Sequence, residues 1–176
     1  MPRLDEGLIQ VYTGNGKGKT TAALGQALRA AGRGLKVYII QFIKGGFDYG
    51  ELYIVDKIPN IELKAFGRGR FITGKKPKPE DLEEARRAME LARKVISSGE
   101  YDIVILDEIN VALYYGLIKV DDVVEMLKKK PKHVEVILTG RKAPDEIVEL
   151  ADLVTEMVEV KHPYQKGMPP RLGIEY

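Results

Sequence analysis

The chain is poor in the residues that carry redox and soft-metal chemistry: it has no cysteine, no tryptophan and two histidines among 176 residues. The absence of cysteine excludes disulfide bonds, thiolate catalysis and cysteine-ligated metals. No apolar run approaches the roughly 20 residues of a membrane-spanning helix, and the first residues do not form a signal segment. A net charge of +2 is too small for a dedicated nucleic-acid surface. We therefore expect a cytoplasmic protein that binds neither membranes nor nucleic acids.

A glycine-rich segment follows the first apolar run of the chain. Residues 13–21 read Thr-Gly-Asn-Gly-Lys-Gly-Lys-Thr-Thr, directly after apolar residues 8–12. In a strand–turn–helix unit, glycines let backbone N–H groups converge on an anion, and the helix N-terminus adds partial positive charge. The segment therefore predicts a nucleoside triphosphate site that includes Gly14, Asn15, Gly16, Lys17, Gly18, Lys19, Thr20 and Thr21.

Two side chains of this segment have specific predicted tasks. Lys19 should reach the terminal phosphates, and the hydroxyl of Thr20 should hold Mg²⁺. The P-loop pattern is incomplete, because Thr13 stands where the pattern has its first glycine. The dinucleotide-binding fingerprint fits less well, since its third glycine is misplaced and the second strand ends in Gln41 rather than in an acid. A glycine-rich turn without a ligand is the remaining alternative.

A second apolar segment, residues 103–106, ends in the acidic pair Asp107 and Glu108. A carboxylate at this point would lie beside Mg²⁺, opposite Thr20. Acidic residues also end strands and cap the next helix for purely structural reasons, which is the alternative interpretation. In enzymes that hydrolyse ATP the second acid usually activates water, so Glu108 is open to either role, as a base or as a metal-associated group.

Apolar and amphipathic segments alternate along the whole chain. We predict strands over 8–12, 37–43, 61–66, 103–106, 134–138 and 153–160, and helices over 19–31, 79–96, 120–130 and 145–151. The pattern indicates one α/β nucleotide-binding domain, residues 1–176: a three-layer, mostly parallel sheet with helices on both faces, of the P-loop NTPase (RecA-like) class. Ligands of such sheets bind at the carboxyl ends of the strands. We therefore expect one site where these loops meet: 13–19, 44–51, 67–78, 107–109 and 140–144.

Six short segments form a more specific pattern. In order they are Thr-Gly-Asn-Gly-Lys-Gly-Lys-Thr-Thr at 13–21, Gln-Phe-Ile-Lys-Gly at 41–45, Leu-Asp-Glu at 106–108, Leu-Thr-Gly-Arg at 138–141, Lys-His-Pro-Tyr at 161–164 and Gly-Ile-Glu-Tyr at 173–176. Together they resemble the P-loop family of corrinoid adenosyltransferases, over residues 8–176. The resemblance implies transfer of the 5′-deoxyadenosyl group of ATP to the cobalt of cob(I)alamin or cob(I)yrinic acid a,c-diamide, with release of triphosphate.

The resemblance also implies roles for individual residues. Lys17, Lys19 and Mg²⁺ would receive the charge that develops on the triphosphate, so that no general base is needed. Arg29 matches the family's arginine near the nucleotide, and Thr20 and Glu108 match its Mg²⁺-associated residues. The family further implies a homodimer, a reductant such as a flavoprotein, and a nucleotide held in reverse relative to other P-loop enzymes. Without the resemblance, a P-loop nucleotide kinase or a RecA-like ATPase remains the alternative.

The segment 66–72 stands where the family offers aromatic residues to the corrin. It reads Phe-Gly-Arg-Gly-Arg-Phe-Ile, and the family's frequent tryptophan is missing. Phe71, with Ile72, is therefore the predicted apolar contact with the corrin. The neighbouring basic residues, among them Arg68 and Arg70, either face substrate anions or are simply solvated.

Overall fold

The computed structural model describes residues 4–70, 72 and 77–176. Strands and helices alternate along these residues. The strands are β1 (Ile9–Thr13), β2 (Val37–Gln41), β3 (Ile61–Ala65), β4 (Ile103–Asp107), β5 (Glu135–Thr139) and β6 (Leu153–Glu156). The helices are α1 (Lys19–Ala31), α2 (Glu51–Ile54), α3 (Pro79–Ser98), α4 (Ile109–Tyr114), α5 (Val120–Lys128) and α6 (Asp145–Leu150), with 3₁₀ turns at Val55–Lys57 and Pro163–Lys166.

The strands form one sheet in the order β3-β2-β4-β5-β1-β6, and every neighbouring pair is parallel. Parallel neighbours require crossover connections, and helices supply most of them. β5 lies between β1 and β4, so the strand before the glycine-rich segment and the strand before the acidic pair are not adjacent. The prediction of a parallel α/β sheet is confirmed.

Helices cover both faces of this sheet. In β4, Val104 and Leu106 pack into a cluster with α3, α4, α5 and α6. Ile103 and Ile105 of the same strand point to the other face and pack into a cluster with α1. Alternation along a strand that is buried on both sides produces these two layers of core. The three-layer architecture expected from the sequence is therefore confirmed.

Two strands are shorter than their apolar runs predict. The last strand, expected over 153–160, ends at Glu156, because its neighbour β1 ends at Thr13. The Met157 carbonyl then accepts the N–H of Gly16 in the loop after β1. The second strand, expected over 37–43, ends at Gln41, and Ile43 takes a left-handed φ of 40°. Apolar runs thus continue past both strands into loops that enter the predicted site.

The short helix α4 was not expected from the sequence. Glu108 precedes it with a left-handed φ of 62°, which turns the chain sharply out of β4 and into the helix. Six residues are too few for helical periodicity to be recognised. Among the described residues, no helix has the length and apolar character to cross a bilayer.

Candidate active site

The loop between β1 and α1, residues 14–18, is named the phosphate loop below. Gly14 and Gly18 have φ angles of 94° and 123°, which residues with a side chain rarely adopt. A Cβ at Gly14 would also lie 2.4 Å from the Met157 carbonyl oxygen. Glycine is thus required at Gly14 by both its backbone conformation and the close approach of the segment that follows β6.

The segment that follows β6 packs directly on the phosphate loop. The Gly16 N–H donates to the Met157 carbonyl at 2.6 Å, so this predicted phosphate donor is already used within the chain. Thr13, in the position of the missing P-loop glycine, accepts a hydrogen bond from the Ala143 N–H at 3.2 Å. Its hydroxyl therefore ties the end of β1 to the loop after β5.

The two lysines of the phosphate loop region differ in environment. Lys19 is buried, and its Nζ donates to the Gly16 carbonyl at 2.6 Å. Burial, and secondarily the nearby Arg141, lowers the pKa of Lys19. Lys17 is exposed and donates to the Ile174 carbonyl at 2.8 Å, which brings the C-terminal segment beside the loop. Lys19 is thus fixed at the head of α1, while Lys17 lies at the rim.

The remaining predicted nucleotide contacts are on the surface. Asn15 and Thr21 are both exposed beside the phosphate loop. Arg29 is exposed in the last turn of α1, which begins at Lys19. With a rise of about 1.5 Å per residue, the backbones of Lys19 and Arg29 are separated by about 15 Å along the helix axis. A single copy of the chain therefore does not bring Arg29 to the phosphate loop, and its role at the nucleotide stays a prediction.

Asp107 is the buried acidic centre of the site. Its Oδ1 accepts hydrogen bonds from the Thr20 hydroxyl at 2.8 Å and from the Thr139 hydroxyl at 2.6 Å. Its Oδ2 lies 2.8 Å from the Lys44 ammonium group and accepts from Gln41 Nε2 at 3.2 Å. The structure thus brings the end of β4 to the first turn of α1, the juxtaposition that a metal between Thr20 and Asp107 would need.

Glu108 follows Asp107 in the chain and shares its electrostatic environment with the cations of the site. Burial, followed by repulsion from Asp107, raises the pKa of the Glu108 carboxyl, and Lys44, Lys19 and Arg141 act in the opposite direction. The electrostatic influence of Arg141 on both Lys19 and Glu108 places its charge at this end of the sheet. In the sequence, Arg141 was recognised only as the last residue of the segment 138–141, and no role was predicted for it.

Lys44 was not among the residues predicted for the site, yet it is one of its best-connected groups. Its Nζ lies 2.8 Å from Asp107 Oδ2, 3.1 Å from Thr20 Oγ1 and 3.7 Å from Glu51 Oε1. It also lies 4.8 Å from the centre of the Tyr49 ring. Burial alone would lower the pKa of Lys44, but the contact with Asp107 outweighs it and the pKa is raised. Lys44 is therefore a buried, charged partner of the acidic centre.

Two further buried side chains position the acids. The Thr139 hydroxyl accepts the Glu108 N–H at 3.0 Å while it donates to Asp107. Gln41 Nε2 donates to Glu51 at 2.8 Å as well as to Asp107, and its Oε1 has no partner among the described residues. The signal for both was available, because they lie at the carboxyl ends of β5 and β2, where ligands of parallel sheets bind.

The donor set of the site suits a small, hard cation. The Thr20 hydroxyl and the carboxylates of Asp107 and Glu108 offer oxygen ligands, which Mg²⁺ prefers. Within residues 4–70, 72 and 77–176, no three histidine, cysteine or acidic side chains cluster as a complete metal centre would. Mg²⁺ typically takes one or two carboxylates and completes its shell with substrate phosphates and water. The residues present therefore fit a cation that is shared with a bound triphosphate.

The loop expected to meet the corrin is described only in part. Phe71 lies outside the described residues, so its predicted contact is not tested. Arg70 forms an ion pair with Asp81, and Arg68 lies 3.8 Å from Glu80 at the start of α3. Ile72 packs partly buried against the core. Both arginines are thus engaged by acidic residues of this chain.

Comparison with known proteins gives one consistent answer. Residues 5–176 match the model of the family described as ATP:corrinoid adenosyltransferase BtuR/CobO/CobP. The chain is 39% identical over 174 residues to a corrinoid adenosyltransferase of Sinorhizobium sp, covering 98% of this chain and 81% of the relative. It is 37% identical over 172 residues to the corrinoid adenosyltransferase of Escherichia coli K12, covering 98% and 87%. It is 35% identical over 172 residues to the corrinoid adenosyltransferase CobA of Salmonella typhimurium LT2, covering 98% and 87%.

The match extends over nearly the whole chain and includes every element that contributes to the acidic centre and the phosphate loop. On this evidence the chain belongs to the ATP:corrinoid adenosyltransferase family.

Proposed function

We propose that this protein transfers the 5′-deoxyadenosyl group of ATP to cobalt(I) of a corrinoid and releases triphosphate. The observation that carries the proposal is the position of Lys19, which is buried at the start of α1 and donates to the Gly16 carbonyl of the phosphate loop, in a chain of this family. Positive charge gathered there suits a reaction in which the entire triphosphate departs and must accept a developing negative charge.

The bond changes of the reaction define the task of the protein. The electron pair of cobalt(I) forms the Co–C5′ bond, while the C5′–O bond breaks and its pair leaves with the triphosphate. Lys19, buried at the start of α1, would stabilise the leaving oxygens together with the helix N-terminus. No proton has to be removed from a nucleophile, so the chemistry requires charge stabilisation and positioning rather than a general base.

We further propose that Thr20, Asp107 and Glu108 hold Mg²⁺ next to the triphosphate. When bound, the ion would neutralise part of the phosphate charge in the leaving group. Asp107 also orients the Thr20 side chain, because its carboxylate accepts a hydrogen bond from the Thr20 hydroxyl. Apart from the Gly16 N–H, the backbone of residues 14–21, with Asn15, Lys17 and Thr21 at its rim, would form the remainder of the nucleotide contact.

The organisation of the protein is proposed on the same basis. We propose one nucleotide-binding domain over residues 1–176, which works in the cytoplasm as a homodimer and receives cobalt(I) corrinoid with the help of a protein reductant such as a flavoprotein. Support for the dimer comes from β6, an edge strand whose four residues are all exposed, with Leu153 and Val154 each 41% accessible. Cob(I)alamin and cob(I)yrinic acid a,c-diamide are both proposed substrates, and Phe71 is the proposed corrin contact.

A P-loop ATPase or nucleotide kinase is the second candidate. The observation that favours it is Glu108, whose raised pKa suits a general base. In that case the γ-phosphoryl group would be transferred and ADP would be the product.

The decisive experiment follows the corrin spectrum. The protein is incubated anaerobically with ATP, Mg²⁺ and chemically reduced cobalamin, with the Lys19→Ala variant as the control. The proposal predicts conversion of the cobalt(I) spectrum to that of an alkylated corrin, dependent on ATP and lost in the variant. An unchanged corrin spectrum together with ADP formation would instead support the second candidate.

A further inference from the structure

Lys44 occupies an unusual position for a lysine in a triphosphate site. Its ammonium group lies 3.1 Å from the Thr20 hydroxyl and 2.8 Å from an Asp107 carboxylate oxygen. The side chain is almost fully buried. It reaches this position from the loop after β2, whereas Lys19 reaches the site from α1. The chain thus contributes a cation from a second element to the oxygens that the proposed function assigns to Mg²⁺.

A divalent cation and this ammonium group would repel each other if both used these oxygens. Mg²⁺ binds its oxygen ligands at about 2.0–2.1 Å, which would put two positive centres on a shared oxygen no more than about 5 Å apart. At such separations in a protein, the repulsion between unit charges amounts to several kcal/mol, and a divalent ion doubles it. Binding of one cation at these oxygens therefore weakens binding of the other.

We propose that Lys44 is a positioning residue that competes with the divalent cation for Thr20 and Asp107, so that the metal enters the site only together with a triphosphate. This inference rests on the Mg²⁺ site of the proposed function. A bound triphosphate offers the displaced ammonium group a new anionic partner and offers the metal new oxygen ligands. The flexible four-carbon stem of lysine permits such a movement.

The competing interpretation is a permanent ion pair. In that case Lys44 would stay on Asp107 in every state and serve only to neutralise a buried carboxylate. The two interpretations agree on the ion pair in the free protein. They differ in what the removal of the Lys44 charge does: under competition, but not under simple neutralisation, it uncovers a divalent-cation site that requires the Thr20 hydroxyl, and this property needs neither ATP nor a corrinoid.

The test measures Mn²⁺ binding to the free protein by electron paramagnetic resonance. Two variants, Lys44→Gln and Lys44→Met, remove the charge, and the Met variant keeps an apolar stem of similar length. A third variant, Lys44→Arg, retains the charge. Lys142→Gln is the matched control. Lys142 contacts Tyr114, so this substitution removes a positive charge from a neighbouring loop without changing a contact of the acidic centre. Circular dichroism establishes that each variant is folded.

We expect the Gln and Met variants to bind Mn²⁺ about tenfold or more tightly than the wild type, since a unit charge beside the metal has been removed. Lys44→Arg and Lys142→Gln should bind as weakly as the wild type. Adding Thr20→Val to Lys44→Gln should abolish the gain. The inference is overturned if neither neutral variant that folds gains affinity, or if the gain survives the loss of the Thr20 hydroxyl. Because no nucleotide is present, these results do not depend on whether triphosphate or ADP is the reaction product.

Discussion

The hydroxyl of Thr139 is the smallest group on which the geometry of both acids depends. It donates to Asp107 Oδ1 at 2.6 Å and accepts the Glu108 N–H at 3.0 Å, and the side chain is fully buried. Thr139→Val keeps the shape of the side chain but removes both hydrogen bonds. A backbone N–H is then left without its partner at a residue whose φ of 62° is already unfavourable.

The expected loss of stability follows from these two bonds. A buried donor left unpaired costs about 1–3 kcal/mol, and a hydrogen bond to a charged group contributes about 1.5–3 kcal/mol. The two share one hydroxyl and do not add fully, so we expect a loss of about 2–4 kcal/mol. Thr139→Ser is the matched control: it keeps the hydroxyl and loses one methyl group, at a cost of about 1 kcal/mol.

Guanidinium chloride unfolding without ATP or Mg²⁺ measures the difference, because bound ligands would stabilise the native state and mask it. With a slope near 4 kcal/mol/M, Thr139→Val should lower the midpoint by about 0.5–1 M at an unchanged slope. Adenosyl transfer should fall with it, since the Asp107 carboxylate loses one of its anchors. A Val variant as stable as the Ser variant would refute the reasoning.

Three further variants address the reacting groups. Lys19→Ala should lower the rate of transfer on the order of 100-fold or more, because a fixed charge at the leaving triphosphate is removed. Glu108→Gln should weaken the Mg²⁺ dependence and the rate of transfer together, while wild-type ATP hydrolysis without corrinoid stays negligible. Phe71→Ala should cripple the reaction that starts from cobalt(II) with a protein reductant, and have much less effect when cobalt(I) is generated chemically.

Each of these has a contrary outcome. Turnover near the wild-type value at saturating ATP would remove Lys19 from its assigned role. Brisk ADP release by the wild type would make Glu108 a base for water. Equal losses of Phe71→Ala in the two assays would mean that this residue packs in the core and that another contacts the corrin.

The elements of the fold that depend on local signals were predictable. Helix α1 begins at Lys19 and ends at Ala31, as expected, because the phosphate-loop glycines precede it and Gly32 follows it. The end of β6 was not predictable, since Val158 and Val160 continue the apolar pattern but are exposed. The strand stops where its neighbour β1 ends, and the segment after it contacts the phosphate loop instead.

The contacts of the candidate site also include some that were predictable from the sequence and some that were not. The meeting of Thr20 and Asp107 follows from two motifs that both stand at the carboxyl ends of parallel strands. Lys44 lay in a loop expected to reach the site, but its contact with Asp107 depends on the left-handed turn at Ile43, which no residue preference indicates. Thr139 could be singled out by its place at the carboxyl end of β5, but its hydrogen bond to Asp107 depends on β5 lying next to β4 in the sheet.

The most direct test of the account is the identity of the phosphate product. Phosphorus NMR of a completed anaerobic reaction with ATP, Mg²⁺ and cobalt(I) cobalamin would quantify triphosphate, ADP and inorganic phosphate against the adenosylated corrin measured by its absorption. We predict one triphosphate for each adenosylated corrin and no accumulation of ADP. Formation of ADP with an unaltered corrin would contradict the proposed adenosyl transfer.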